Sequence, residues 1–157
     1  MTAERLETLG IADVALVQVD VRVDPASSPG PSEPNTWTRD GGREWLWLGP
    51  DEWLVVAEDG ELVAELEGAL AGTHHSVVDV SASRVVFELR GDGRFELLEQ
   101  GCGLDLHPRS WQHGMCAQTL LARVPVILQE REGATRVFVR TSYAGYLVDW
   151  LWAVRPA

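Results

Sequence analysis

The sequence predicts an α+β fold, mainly antiparallel sheets with packed helices. Apolar residues alternate with polar ones in several short runs and recur at helical spacing in others, and successive strand-like runs are joined by hairpin-length turns. Ala3–Leu9 is expected as a short helix stopped by Gly10. Val17, Val19, Val21 and Val23 alternate with Gln18, Asp20 and Arg22, the period of a strand with one buried face. Prolines and glycines crowd residues 24–42, which are expected as the longest loop and a flexible one. Glu44–Leu48 and Trp53–Val56 flank a Gly49-Pro50-Asp51-Glu52 turn and read as a hairpin.

Glu61–Leu70 places Leu62, Leu66 and Leu70 on one helical face before the stop at Gly72. Val77–Val80 and Arg84–Leu89 read as strands around Ser81-Ala82-Ser83, and Gly91–Gln100 as a helix with Phe95 and Leu98 inward and Leu97 as a third candidate. After a loop at 101–114, strands are expected at Cys116–Ala122, Val126–Gln129 and Thr135–Arg140, with Glu130-Arg131-Glu132-Gly133 as the last turn. Thr141 or Ser142 is placed to cap a final helix through Tyr146, Leu147, Trp150 and Leu151. One domain, 1–157, is expected, with two intimate halves at about 1–75 and 76–157 as its finer division.

The chain carries 13 basic residues against 24 acids, a formal charge of −11, and every basic residue is arginine. Without lysine there is no Schiff-base chemistry, P-loop or pyridoxal anchor. The acidic total argues against nucleic acid as a partner. Residues 1–68 hold 15 acids and 4 arginines while 69–157 hold 9 of each, so the whole excess sits early. A solvated acidic face is the preferred reading and a steering surface for a basic partner the alternative. No apolar run approaches the ~20 residues needed to span a bilayer. The first residues also lack a basic stretch followed by an apolar one. A cytoplasmic protein with no membrane association is expected.

Candidate chemistry is thin. His107, His113 and Cys116 are the densest metal-ligand group, but their spacing fits no common zinc pattern, and surface histidines are preferred; no metal site is assigned. Gly91-Asp92-Gly93 opens a helix after a strand, yet Glu96 stands where a third glycine would receive a pyrophosphate, so a turn needing glycine is the better reading. His74-His75 lies near Ser76, Asp79 and Ser81 without a nucleophile-elbow motif. Cys102 and Cys116 allow one disulfide by count, and Cys116 reads as core. No catalytic residue is assigned. Seven tryptophans are expected mostly in the core.

Five ordered blocks carry a resemblance: Trp47-Leu48-Gly49-Pro50-Asp51-Glu52-Trp53-Leu54, Val78-Asp79-Val80-Ser81-Ala82-Ser83-Arg84, Gly101-Cys102-Gly103-Leu104-Asp105-Leu106, Ala117-Gln118-Thr119-Leu120-Leu121-Ala122-Arg123 and Arg140-Thr141-Ser142-Tyr143-Ala144. Together they resemble the gamma subunit of heterotetrameric sarcosine oxidase, from about residue 45 to the end. The resemblance implies a fold like the first part of the glycine cleavage T protein, a folate-dependent aminomethyltransferase, with ferredoxin-like halves. It implies a non-catalytic accessory subunit of a complex that oxidatively demethylates sarcosine and passes the one-carbon unit to tetrahydrofolate. Catalysis is implied to lie in the other subunits: NAD and the folate site in alpha, FAD and FMN in beta, zinc in delta. Alpha is the implied direct partner, and this chain is implied to bind no cofactor. Asp105 resembles the T protein's folate-contacting aspartate, although a loop aspartate capping its own turn is the preferred reading. The alternative is a freestanding folate-binding, aminomethyltransferase-like module.

The last helix gives one candidate interface. At ~100° per residue from Tyr143, the side chains of Leu147, Trp150, Leu151 and Val154 fall within ~80°, with Tyr146 just beyond Trp150, and this stripe is expected to face the core. Val148 and Trp152 fall at ~140° and ~180°. A helix apolar on both sides is normally covered on both, so Val148 and Trp152 are expected to dock on the alpha subunit.

Overall fold

The computed structural model describes residues 9–155. In chain order the strands are β1 (Gly10–Val14), β2 (Val17–Val23), β3 (Trp37–Asp40), β4 (Arg43–Gly49), β5 (Glu52–Ala57), β6 (His75–Asp79), β7 (Arg84–Arg90), β8 (Cys116–Leu121), β9 (Val124–Arg131) and β10 (Ala134–Arg140). The helices are α1 (Leu62–Ala69), α2 (Gly93–Glu99) and α3 (Thr141–Val154). The helix expected over Ala3–Leu9 lies outside the described residues except for Leu9. Among the described residues no helix is long and apolar enough to cross a membrane.

The chain forms two compact units, residues 15–83 and residues 1–14 with 84–157. The division falls after Ser83 rather than near residue 75 because β6 pairs with β2, while β1 pairs with β7 through Ile11↔Leu89 and so belongs to the second unit.

The 15–83 unit is a five-stranded antiparallel sheet in the order β3-β4-β5-β2-β6. The valines that alternate along β2 bury Val19, Val21 and Val23 with Trp45, Trp53 and Val55 under Leu62 and Leu66 of α1 and Leu70 just past its end. Residues 24–42 are more ordered than their composition suggests. Asp24 accepts from the Ala26 amide at 2.8 Å and starts a short 3-10 turn, Pro25–Ser27. Trp53 Nε1 donates to the Pro31 carbonyl at 2.9 Å, and a Cβ on Gly30 would lie 2.7 Å from the Trp53 ring. The segment then becomes β3, with Trp37 buried opposite Leu46, and turns into β4 through Gly41-Gly42, both at positive φ. The expected loop is therefore corrected to a loop plus an edge strand, which Trp37 anchors by burial.

The second unit is a five-stranded antiparallel sheet in the order β1-β7-β10-β9-β8. Phe87, Leu89, Val126, Leu128, Val137 and Val139 share one face and pack with Leu97 and Leu98 of α2 and Leu147 and Leu151 of α3. Glu130, expected in a turn, is instead buried within β9; the turn is Glu132-Gly133, with Gly133 at φ +74°. The β8–β9 hairpin turns on Ala122-Arg123, at φ +52° and +70°, where glycine or asparagine is usual. Tyr146 Oη donates to the Ala122 carbonyl at 3.0 Å, and the Ala122 amide donates to the Gly101 carbonyl at 3.0 Å; both bonds hold this turn.

Three expectations for α3 change. It begins at Thr141 directly from β10, so Arg140 stands at the cap position and makes no side-chain capping bond. Its buried stripe centres between Leu147 and Leu151, about 60° round from Tyr143, and Tyr143 and Tyr146 are exposed. That rotation brings Val148 partly into the unit's own core.

Candidate functional site

Each residue singled out by its chemistry has a definite local place. In the 15–83 unit, His75 Nε2 lies 2.6 Å from Glu67 and Nδ1 lies 2.9 Å from the Thr73 carbonyl. Both neighbours are acceptors, so both ring nitrogens are set to donate, and the Glu67 bond chiefly holds the imidazole above its usual value. Asp79 accepts from the Ser81 amide at 2.9 Å, and Ser81 Oγ accepts from the Gln18 amide at 2.8 Å. These groups tie β6 to β2 and build no serine–histidine pair.

In the second unit, Gly91 sits at φ +90°, which explains the Gly-Asp-Gly run as a turn into α2. His107 Nδ1 accepts from the Arg109 amide at 3.1 Å, His113 is exposed and Cys116 is buried in β8. Among the described residues no three histidine, cysteine or acidic side chains converge on a metal-sized point. Cys102 and Cys116 are both buried, and no disulfide joins them. Asp105 is exposed, and its Oδ1 accepts from the His107 amide at 3.0 Å. That bond, helped by the Ser110 hydroxyl, keeps its carboxyl below the usual range. The residue caps its own loop.

Sequence reasoning missed a buried polar network. Arg94 Nε donates to Thr135 Oγ1 at 3.0 Å, Thr135 donates to Glu130 Oε1 at 2.7 Å, and the Arg94 guanidinium lies 3.6 Å from the same carboxylate. Burial raises the Glu130 carboxyl above its usual value; Thr135 and Arg94 oppose that rise, as does the Trp111 indole, which lies outside ordinary hydrogen-bond geometry. The network joins α2 to β9 and β10. Alternation in these strands was a readable signal, since Glu130 and Thr135 share the face of Leu128 and Val137.

The exposed feature is on α3. Trp152 is 53% exposed, with the Arg155 guanidinium 4.6 Å over its ring. Beside it runs a groove of about 370 Å³ lined by Ile11, Val85, Phe87, Val148 and Leu151. Val148 thus both packs inward and walls the groove.

Comparison with known proteins agrees on one family. The model of the "Sarcosine oxidase, gamma subunit family" matches residues 34–156. Sarcosine oxidase gamma subunits of Corynebacterium sp. (strain U-96) and Arthrobacter sp. are 39% and 40% identical over 108 residues, 68% of this chain. That alignment covers 53% of each relative, so it spans about half their length. Among solved structures, a chain of the heterotetrameric sarcosine oxidase from Corynebacterium sp. U-96, in complex with pyrrole 2-carboxylate, matches with a TM-score of 0.87 and 30% identity, over 99% of this chain and 86% of that one. The glycine cleavage system aminomethyltransferase T from Bartonella henselae matches with a TM-score of 0.69 and 15% identity, over 92% of this chain and 45% of that one, a likeness of fold.

Proposed function

The chain belongs to the sarcosine oxidase gamma subunit family, and from that membership we propose that it is a non-catalytic accessory subunit of a heterotetrameric sarcosine oxidase. The match to a chain of such an oxidase over 99% of this one carries the reading. On it, the assembly works in the cytoplasm, oxidatively demethylates sarcosine and passes the one-carbon unit to tetrahydrofolate. Alpha holds NAD and the folate site, beta holds FAD and FMN, and delta holds zinc. This chain supplies surface rather than chemistry, which suits an Asp105 engaged in capping its own loop.

The docking element is α3, with Trp152 on the alpha subunit and Val148 walling the adjacent groove. An exposed tryptophan beside a mainly apolar groove, with Asp13 on its wall, has the composition of an interface centre. Co-expression with candidate alpha, beta and delta subunits, followed by size-exclusion chromatography, tests this. The chain should elute with the flavin-bearing peak, and Trp152→Glu should lower its share of that peak severalfold while leaving the melting temperature of the isolated chain unchanged. A chain that elutes alone and binds tetrahydrofolate would instead support the freestanding aminomethyltransferase-like module.

A further inference from the structure

Beside the Trp152 groove runs an open strand edge. β1 is the outer strand of its sheet, so one side of its backbone faces away from β7. Strand register fixes which groups those are. The Glu130 amide donates to the Met115 carbonyl, toward β8, and backbone bonding along an antiparallel strand alternates in direction residue by residue. Gln129 and Arg131 therefore bond to β10, Thr135 and Val137 bond to β7 opposite Leu89 and Phe87, and Glu88 and Arg90 bond to β1 opposite Ala12 and Gly10. The N–H and C=O groups of Ile11 and Asp13 are left pointing to the open edge, and among the described residues nothing bonds them.

The side chains of the same two residues lie on the face of Phe87 and Leu89, on which α3 packs. They line the groove with the half-buried Val85, Ala144 and Val148 and with Trp152, whose ring carries Arg155 on one face. Asp13 is exposed and is the charged residue of that lining. An extended chain laid along β1 satisfies the open backbone groups and sends alternate side chains toward α3, the mode in which a peptide joins a sheet edge. The carboxylate selects the occupant. Pairing with a second copy brings two Asp13 carboxylates onto one strand pair between chains of charge −11, whereas a cation opposite Asp13 is favourable. We propose that an extended segment of the alpha subunit adds to the open edge of β1, with a basic side chain opposite Asp13 and an apolar one two residues on, beside Ile11 in the groove. This rests on the accessory-subunit reading and names how that partner is held.

The test is amide exchange resolved to single residues, on the full chain alone and in the complex co-expressed with alpha, beta and delta subunits. Alone, Ile11 and Asp13 should exchange fast and Ala12, bonded to β7, slowly. In the complex, Ile11 and Asp13 should slow by at least about tenfold. Asp13→Pro removes one outward amide without touching the β1–β7 bonds and should lower the chain's share of the complex severalfold. Asp13→Asn keeps the backbone and should lower that share by a smaller amount that vanishes at high salt. If Asp13→Pro disturbs the isolated fold, Asp13→Asn and the exchange rates decide. A chain that elutes with the flavin-bearing peak while Ile11 and Asp13 still exchange fast would overturn this inference and leave the subunit reading standing. A chain that elutes alone would overturn both. A dimer of the isolated chain with these two amides slowed would give the edge to a second copy, and Asp13→Asn assembling like the parent at low salt would remove the basic contact; either overturns the proposal.

Discussion

Both units are five-stranded antiparallel sheets with helices on one face, yet they place their charges differently. Residues 15–83 hold 13 acids and 3 arginines, whereas residues 9–14 and 84–155 hold 9 of each. In the acidic unit, the buried Glu44 apart, the ion pairs lie at the surface: Arg43 with Glu65 at 2.6 Å, His75 with Glu67 at 2.6 Å, Arg22 with Glu52 at 3.2 Å. In the neutral unit the central pairs are inside: Arg94 with Glu130, and Arg136 Nε donating to Glu88 at 3.0 Å. The acidic excess is thus a solvated property of one unit. Charge balance in the other is a packing requirement, because a buried charge left unpaired is costly.

That contrast breaks first at Arg94. Arg94→Ala removes the buried cation beside Glu130 and should cost about 3–5 kcal/mol in denaturant unfolding; a loss below about 1 kcal/mol would show that the network is not structural. Next comes packing, where the units should behave alike. Gly101→Ala puts a methyl 2.5 Å from the Trp150 ring, and Gly30→Ala puts one 2.7 Å from the Trp53 ring. Each should cost about 1–3 kcal/mol, read as a lowered melting temperature.

A smaller effect is pH dependence. Glu130 has its carboxyl raised by burial, so between the ordinary value of 4.5 and its folded value the native state holds more protons than the unfolded chain. Stability should therefore fall as pH rises through that window, and Glu130→Gln should flatten the slope measured by thermal melts. An unchanged slope would place the titration elsewhere. The smallest effect is expected at Arg43→Ala, whose partner Glu65 is exposed and screened. Its melting temperature should stay within scatter of the parent, and a drop like that of Arg94→Ala would erase the distinction between the units.

The sequence by itself determined the α+β class, the β4–β5 hairpin and α1 within a residue at each end. These follow from local period and turn chemistry, which a single strand or helix carries in itself. The five motif blocks likewise carried the family. Only the tertiary structure decided β1 and β3, since Gly10–Val14 and Trp37–Asp40 become strands by pairing with β7 and β4 rather than through alternation of their own. It also decided the rotation of α3. A wheel shows that an apolar stripe exists, but the sheet beneath sets which edge goes down, and here it took Val148 in and left Tyr143 out. The pairings of Arg94 with Glu130 and of Arg84 with Arg140 were decided in the same way. Residues 36 and 56 positions apart meet through strand register, and no local pattern encodes that distance.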